Sequence, residues 1–305
     1  MLATASPPIS EHQARPLTRM RAPGTCGEFV QGAIDGRDFL VNCPVDLYSY
    51  ASVYDSVAPG LQLSNAGSFN KIADAISLAT QEFLLDLRHR VSIRSDIPRG
   101  KGMASSTADL TAALAALCHS VALPLTPQAF ARLLTEIEPS DCTHFEGIAH
   151  VNHLTGDLLD SLPAPDDMRV LVVDCRGEID TIDFDRERAR HVYRQQPHAI
   201  REALDLLKRG LRQHNPQWVA DGATLSAQIS QQIHFKPQFE ELLQLARRWG
   251  ALGVNCAHSG SVLGVLYRAS DRLKDSLRTQ VENHFGRAVA IVGDHAIISG
   301  GYREC

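Results

Sequence analysis

A loop rich in glycine and serine stands between a short strand and an alanine-rich helix, and its residue types suit phosphate. The loop lies within residues 96–108, which read Asp-Ile-Pro-Arg-Gly-Lys-Gly-Met-Ala-Ser-Ser-Thr-Ala. A helix N-terminus leaves several N–H groups unpaired and carries partial positive charge, and a phosphate group satisfies both. Gly100 and Gly102 allow tight backbone curvature and close approach of an anion. The hydroxyl residues that open the helix add donors, and one of them is a candidate magnesium ligand.

This loop differs from two better-known phosphate motifs, and it also has a plain structural explanation. Ser and Thr are preferred at helix N-caps, so capping alone accounts for the cluster at 105–107. A Walker loop requires Ser or Thr after its Gly-Lys pair, whereas Gly102 follows Gly100-Lys101 here. The spacing also departs from Gly-x-Gly-x-x-Gly. A P-loop enzyme and a dinucleotide-dependent dehydrogenase are therefore disfavoured.

An acidic turn follows the next helix, at residues 136–147. Pro139 disfavours helical backbone at the residue before it, so Glu138 and Asp141 fall on a turn at the helix end. Phosphoryl transfer needs a cation on the phosphates and a group that positions or deprotonates the attacking hydroxyl. One carboxylate on magnesium and another facing the acceptor meet both needs. Glu136 is a rival for Glu138, and the plain alternative is that Asp141 caps the next element while Glu138 is solvated.

Two other chemistries near this turn are weaker. Cys142 and His144 could suggest a thiol nucleophile, but they lie two residues apart and no third orienting group is evident. Glu146, His150 and His153 have spacing compatible with a metal site. The strand-like pattern of 148–154 would put the two histidines on opposite faces, so structural or surface histidines are the better interpretation.

The bulk composition describes an acidic chain with room for one large α/β unit or two modest domains. It has 305 residues, 44% of them hydrophobic and 21% charged, and a formal net charge of −5. The scattered basic residues give no nucleic-acid footprint, and no apolar run approaches the roughly 18 residues needed to span a membrane. Seven cysteines without a Cys-x-x-Cys pair favour reduced thiols over disulfides or zinc. We therefore expect a cytoplasmic protein, and the sequence leaves its oligomeric state open.

Strand and helix patterns alternate along the chain after a Pro-containing segment, 1–19, that we interpret as a flexible tail and not a signal peptide. A Pro-containing loop at 161–167 is the predicted domain boundary. Helical patterns cover about 71–87, 106–121, 127–138, 185–213, 217–232 and 237–249, and strand patterns cover 39–54, 90–97, 168–175, 261–267 and 287–294. This interleaving favours an α/β or α+β architecture.

The phosphate loop resembles the second motif of the GHMP kinases (galactokinase, homoserine, mevalonate and phosphomevalonate kinases). The family pattern is Pro-x-x-x-Gly-Leu-Gly-Ser-Ser-Ala-Ala, and this chain has Pro98-x-x-x-Gly102-Met103-Ala104-Ser105-Ser106-Thr107-Ala108. Residues 21–28, Arg-Ala-Pro-Gly-Thr-Cys-Gly-Glu, are similar to a shortened first motif without its usual histidine. Residues 258–264, His-Ser-Gly-Ser-Val-Leu-Gly, resemble the third, Gly-rich motif. Each short match could be a simple turn, but three in the family's order are stronger evidence than any one.

The resemblance implies a fold, cofactors and residue roles. The expected fold is the α+β / α/β two-domain GHMP kinase fold, with an N-terminal mixed-sheet domain (20–165), a C-terminal ferredoxin-like domain (166–305) and ATP between them. Asp141 occupies the place of the family's catalytic base, and magnesium falls to Glu138 with Ser105 or Ser106. The residues implied at the ATP phosphates are Pro98, Arg99, Gly100, Lys101, Gly102, Met103, Ala104, Ser105, Ser106 and Thr107. Those implied at the substrate are Gly24, Thr25, Gly27, Glu28, Ser259, Gly260 and Ser261.

Within that family, segments 23–32, 100–109 and 138–141 look most like the L-threonine kinases. Those enzymes make O-phospho-L-threonine for the aminopropanol arm of cobalamin, which implies a small hydroxy amino acid as the substrate. Homoserine and mevalonate kinases match only the generic pattern. Two other classes stay open: a non-catalytic ATP-binding sensor on the same fold, and a hydrolase that uses Cys142 or a carboxylate pair.

Overall fold

The computed structural model describes residues 15–56, 62–64, 69–84, 88–176 and 185–305. Its strands are β1 Thr18–Ile34, β2 Arg37–Asp55, β3 Gln62–Ser64, β4 His89–Ser95, β5 Ile148–Asn152, β6 Asp157–Leu162, β7 Met168–Asp174, β8 Gly253–Cys256, β9 Val262–Arg268, β10 Ala290–Ala296 and β11 Arg303–Glu304. Its helices of ten or more residues are α1 Phe69–Glu82, α2 Ser105–Ser120, α3 Pro127–Ile137, α4 Arg186–Gln195, α5 Pro197–Arg212, α6 Pro216–Ser230, α7 Phe239–Arg248 and α8 Lys274–Phe285. Among these residues, every helix is too short or too polar to cross a membrane.

The N-terminal half is a mixed sheet, as expected. Its strands run in the order β1-β2-β4-β3, antiparallel except for the parallel β3–β4 pair, and β5 and β6 add a hairpin beside β2. The β1–β2 ladder shifts register three times between Pro23 and Val30. These irregularities fall in the first motif, where a bulged strand can re-aim side chains toward a site.

Helix α2 packs at the centre of this half and fixes where the phosphate loop lies. Every residue from Thr107 to Cys118 is buried, on all sides of the helix. A helix that is buried on every side needs neighbours on every side. Strands β1 and β2 cover one side of α2, and α1 and α3 contact it as well. The start of α2 is therefore held firmly at the edge of the core.

The C-terminal half has the ferredoxin-like strand order. Strands β10-β7-β9-β8 lie side by side with antiparallel neighbours. Helices α4–α7 connect β7 to β8, and α8 connects β9 to β10. A second core cluster fills the space between these strands and helices α7 and α8.

The two halves join at the first and third motifs. Glu28 of β1 pairs with Cys256 of β8, so one sheet path runs through both halves. Strand β6, which ends at Leu162, pairs with β5 of the N-terminal half, and β7, which begins at Met168, pairs with β9 of the C-terminal half. The predicted boundary, the loop 161–167, lies between β6 and β7. Beyond β10 the chain returns to the N-terminal half, because β11 pairs with β1. The division into two domains stays a prediction.

Several element boundaries differ from the sequence expectation. Strand β1 begins at Thr18, inside the predicted tail 1–19, and residues 1–14 lie outside the described part of the chain. Helix α1 ends at Glu82, and residues 85–87 of the predicted helix also lie outside the described residues. The stretch 185–213 is two helices, because Pro197 has no N–H to continue α4 and takes the first turn of α5. Helix α8 was not predicted.

Candidate active site

At the phosphate loop, no side chain caps the start of α2. Ala104 precedes the helix in the left-handed region (φ 55°, ψ 30°), and no side chain caps the first turn. Capping by the Ser-Ser-Thr cluster is therefore not what the structure has. The side chains of Met103 and Thr107 are buried in the core. Ser105 and Ser106 are partly exposed, and no side chain caps the N–H groups of this first turn.

The three motifs of the sequence meet at this loop. Gly27 donates its N–H to the Gly102 carbonyl at 3.2 Å, and Thr25 donates to the Met103 carbonyl at 3.0 Å. From the other side, the N–H groups of Ser261 and Val262 donate to the Lys101 carbonyl at 3.1 and 3.2 Å. The phosphate loop is thus held between the first and third motifs by backbone hydrogen bonds.

A glycine-to-glycine contact makes this approach possible. A Cβ added to Gly102 would collide with Ala257 and Gly260, and one added to Gly260 would collide with the backbone of Gly102. Gly102 also has φ +77°, where a side chain is strained. Gly24 packs as tightly, since an added Cβ would lie 2.8 Å from the Met103 carbonyl oxygen. These glycines are required for close packing of the loops.

The two basic residues of the loop form ion pairs with carboxylates in the structure. Arg99 lies 3.2 Å from Asp109 on α2, and Ser49 donates to the same carboxylate at 2.6 Å. Lys101 lies 3.1 Å from Asp174 at the end of β7, which also accepts from Ser261 at 2.6 Å. Contact of either basic side chain with phosphate stays a prediction.

Glu138 and Ser106, both predicted at magnesium, are in direct contact. Ser106 donates its hydroxyl to one oxygen of Glu138, and the ammonium of Lys71 lies 2.6 Å from the other oxygen. Glu138 ends α3 in an extended conformation (φ −161°, ψ 157°), which turns its side chain away from the helix axis. Glu136 is exposed on α3. The geometry therefore favours the Glu138 and Ser106 alternatives, and it adds Lys71, which no sequence motif indicated.

Asp141 lies on the turn beyond α3, three residues after Glu138. Its backbone carbonyl accepts from the Asn42 side chain at 3.1 Å, and the preceding residue, Ser140, donates its N–H to the His153 carbonyl at 2.9 Å. Burial raises the pKa of the Asp141 carboxyl above its ordinary value, and the negative charges of Glu28 and Glu138 raise it further. A cation at Glu138 would lower the pKa again and favour the base form.

Glu28, predicted at the substrate, is held by the third motif. The backbone N–H of His258 donates to Glu28 Oε2 at 2.9 Å, and His258 Nδ1 lies 3.0 Å from the same oxygen. The other ring nitrogen of His258 lies 3.3 Å from the hydroxyl of Ser226 on α6. Only 7% of the Glu28 side chain is exposed. Ser259 and Gly260 complete the loop that carries His258.

The charge of Glu28 acts on three further buried polar groups, and two of them, Tyr193 and Lys236, were missed by the sequence reasoning. The Tyr193 hydroxyl and His153 Nδ1 are buried and have no hydrogen-bond partner among the described residues. Burial lowers the pKa of His153 to about 4, and the charges of Asp38 and Glu28 oppose this shift. Burial raises the pKa of the Tyr193 hydroxyl, and the charge of Glu28 raises it further. Lys236 is buried and donates to the Ala257 carbonyl at 2.7 Å. No sequence signal marked Tyr193 or Lys236, because each comes from a separate element, and His153 was considered only as a metal ligand.

The thiol alternative at Cys142 has no support in the geometry. Cys142 is fully buried, and burial raises the pKa of its thiol to about 12, so the thiolate is disfavoured. His144 bonds the Pro127 carbonyl through Nε2 at 3.0 Å. Among the described residues, no group of three or more His, Cys, Asp and Glu side chains could hold a metal ion, which covers the histidines near 150.

Known proteins are similar to this chain in sequence and in fold. The family model for the GHMP kinases N terminal domain matches residues 70–149. An L-threonine kinase of Salmonella typhimurium is 34% identical over 248 residues, which is 81% of each chain. An L-threonine kinase of Citrobacter freundii is 32% identical over 81% of this chain and 85% of that protein. The chain belongs to the L-threonine kinase family of GHMP kinases.

A solved structure confirms the fold of this kinase. Homoserine kinase from Cytophaga hutchinsonii superposes with a TM-score of 0.74 over 94% of this chain and 97% of that one, at 16% identity. At that identity the likeness concerns the fold alone. The predicted α+β GHMP kinase fold is therefore confirmed, while the roles of the individual site residues stay predictions.

Proposed function

We propose that this kinase transfers the γ-phosphoryl group of ATP, with magnesium, to the side-chain hydroxyl of L-threonine and yields O-phospho-L-threonine. The observation that carries the proposal is the cluster at the start of α2. An uncapped helix N-terminus and the Ser106–Glu138 pair come together there, and Asp141 follows Glu138 by three residues on the same turn. The threonine assignment depends on the 34% identical relative, and the product's use in cobalamin synthesis depends on the same likeness.

The residues present fit magnesium and nucleotide phosphates. Open N–H groups at the start of α2 suit phosphate oxygens. Glu138 and the Ser106 hydroxyl offer the hard oxygen ligands that magnesium prefers, and phosphates and waters complete its shell. When bound, magnesium–ATP supplies the phosphoryl group and a cation that neutralises charge on it.

Four groups of this chain then have separate tasks. The α2 N-terminus orients the phosphates, and Glu138 with Ser106 holds the cation. Asp141 accepts the proton of the attacking hydroxyl, because it is the carboxylate near Glu138 that stays clear of the Ser106 and Lys71 contacts. Glu28 binds the ammonium group of the amino acid with its second carboxylate oxygen. The loops of the first and third motifs lie beside both sites, which limits water access during transfer.

A panel of acceptors tests the proposal. With saturating magnesium–ATP, kcat/KM is compared for L-threonine, L-serine, L-homoserine and mevalonate, with ADP and phosphorylated product both measured. We expect L-threonine to lead, and L-serine to be lower by roughly 10- to 200-fold, the typical effect of one missing methyl group. Homoserine should lose more in kcat than in binding, because its hydroxyl lies one carbon further from the amino group.

Each other outcome has a definite meaning. If homoserine or mevalonate leads, the threonine assignment fails and the kinase assignment stands. If no acceptor raises ADP release above that of the Asp141→Asn variant, the sensor alternative takes its place. That alternative has no specific observation in its favour here, because Asp141, Glu138 and Ser106 are all present.

A further inference from the structure

Buried hydrogen bonds connect Glu28 to the third motif through one histidine. Ser226, His258 and Glu28 form a chain in which Ser226 Oγ meets Nε2 and Glu28 meets Nδ1. The Gln31 N–H donates to the Ser226 oxygen at 3.1 Å. The Ser226 hydroxyl is therefore free to donate to Nε2, which leaves the proton of a neutral ring on Nδ1, aimed at Glu28. Both ring nitrogens of His258 and the Ser226 hydroxyl then have partners.

Serine, histidine and carboxylate are also hydrogen-bonded in this order in hydrolase triads, but Ser226 cannot act as a nucleophile here. Ser226 and His258 are each 1% exposed. The Ser226 oxygen already accepts the Gln31 N–H, so no substrate carbonyl can approach it. A fully buried chain of this kind orients its last member instead.

A buried lysine strengthens one of the hydrogen bonds that Glu28 accepts from His258. Lys236, 3% exposed, donates to the carbonyl of Ala257, and that carbonyl belongs to the peptide group whose N–H, on His258, donates to Glu28. A cation on the oxygen of a peptide group polarises it and strengthens the bond from its N–H. Glu28 Oε2 thus receives two bonds from His258, one of them from a peptide polarised by Lys236.

The loop that carries His258 also holds the phosphate loop. Ala257 and Gly260 pack directly on Gly102, and Ser261 donates to the Lys101 carbonyl. The backbone of residues 257–261 therefore contacts the phosphate loop on one side and Glu28 on the other. Because these contacts to the phosphate loop come from the backbone and from Ala257, a substitution of the His258 side chain should leave them in place.

We infer that His258 is a positioning residue that fixes the Glu28 carboxylate for the amino group of the acceptor, with Lys236 supporting it through the 257–258 peptide. This inference rests on the proposed function, since it gives Glu28 the ammonium of the amino acid. Both bonds go to Oε2, so Oε1 is the oxygen left for the acceptor. His258 orients the Glu28 carboxylate and does not itself contact the acceptor.

Two substitutions of similar size separate this role from simple packing. His258→Asn places an amide near the Nδ1 position and keeps a donor toward Glu28, whereas His258→Gln reaches toward Ser226 and loses it. For His258→Gln we expect the KM for L-threonine to rise about 10- to 100-fold, the usual worth of a buried hydrogen bond to a charged group. The KM for ATP should stay within about twofold. His258→Asn should restore the KM for L-threonine to within about threefold of wild type.

A double substitution shows whether His258 acts through Glu28. In a Glu28→Gln background, His258→Gln should raise the KM for L-threonine by less than about threefold, because the group that it orients is already altered. Lys236→Met should raise that KM less than His258→Gln does, with the same pattern. Additive effects in the double variant, or equal rises in both KM values, would overturn the inference. Melting temperatures of all variants are measured alongside.

A measurement without turnover keeps the two proposals distinct. Selective nitrogen-15 labelling of histidine, with the His258 signal assigned from His258→Asn, reports the tautomer of the ring. We expect a proton on Nδ1 in wild type and a changed signal in Glu28→Gln. The absence of a proton from Nδ1 would overturn the inference even if no acceptor is phosphorylated. Conversely, an inactive wild type with the Nδ1–H tautomer counts against the proposed function alone.

Discussion

The hydroxyl of Ser106 donates a hydrogen bond to Glu138, which joins the first turn of α2 to the end of α3. The two residues are 32 positions apart in the chain. Because the two residues lie on different helices, their contact depends on how α3 packs beside α2. It brings a carboxylate and a hydroxyl to the place where open N–H groups already favour an anion.

We predict that Glu138→Gln raises the magnesium concentration needed for half-maximal activity by about tenfold or more, because an amide is a poorer ligand for a hard cation. Activity should recover partly at high magnesium. Ser106→Ala should have a smaller effect in the same direction, and Ser105→Ala, its matched control, should have less still. Steady-state rates across a magnesium titration check this. An unchanged titration in Glu138→Gln would move the ligand role to Glu136 or another residue.

Asp141→Asn should lower kcat by roughly two to four decades while ATP still binds, the usual range for loss of a general base. Asp271→Asn, an exposed carboxylate outside the site, serves as the control and should leave kcat unchanged. Nucleotide binding is followed separately by calorimetry. Near-normal turnover in Asp141→Asn would mean that Asp141 only caps the turn.

The raised pKa of Asp141 also predicts how stability depends on pH in the absence of ligands. A carboxyl group whose pKa is raised by folding favours the folded state in its protonated form. That contribution is complete below the ordinary carboxyl pKa and is lost as pH rises through the folded-state pKa. Asp141→Asn should therefore be more stable than wild type at pH 8–9, with the difference shrinking toward pH 4. Denaturant unfolding at each pH measures it, and a constant difference would contradict the burial argument.

The sequence could predict those parts of the site that depend on local pattern. The phosphate loop and the turn with Glu138 and Asp141 are marked by Pro, Gly and Ser at fixed spacing, so they could be found without the structure. Lys71 could not, since it lies on an ordinary amphipathic helix and meets Glu138 only when α1 packs beside α3. His258 and Glu28 are separated by 230 residues, and their contact follows from the β1–β8 pairing.

The boundaries of helices and strands could likewise be predicted only where a local sequence pattern determines them. The interior of α2 was predictable from its run of Ala and Leu, and the structure starts it at Ser105, one residue before the predicted start. By contrast, the break between α4 and α5 at Gln196 depends on a single proline inside a long helical pattern. Strand β8 has only four residues, all of them buried, and such a short run carries no periodicity to detect.

Ala104→Gly should stabilise the fold, because Ala104 occupies the left-handed region where the family pattern has glycine. The strain of that conformation, about 1–2 kcal/mol for an L-residue, outweighs the roughly 0.4–1 kcal/mol of extra chain entropy that glycine brings to the unfolded state. We expect the free energy of unfolding to rise by up to about 1 kcal/mol. The KM for ATP should stay within about twofold, since the loop already has this shape.

Ala122 provides a matched control for that substitution. It also has a positive φ, 52°, but lies just beyond the C-terminal end of α2. Ala122→Gly should give a similar gain in stability with no kinetic effect. If Ala104→Gly loses stability while Ala122→Gly gains it, contacts of the Ala104 methyl group, and not backbone strain, decide the preference at the phosphate loop.

Tyr193→Phe should raise stability and leave acceptor binding unchanged. The Tyr193 hydroxyl is buried on α4 without a hydrogen-bond partner among the described residues, and such a group costs about 1–3 kcal/mol. Its removal should increase the free energy of unfolding by about 1 kcal/mol. Because the hydroxyl is buried, an acceptor does not reach it, and the KM for L-threonine should not change. Tyr302→Phe, a ring stacked on Phe130 and 37% exposed, is the control and should change neither quantity. Loss of stability in Tyr193→Phe would show that its hydroxyl is satisfied within the fold, and a raised KM would place it at the acceptor subsite.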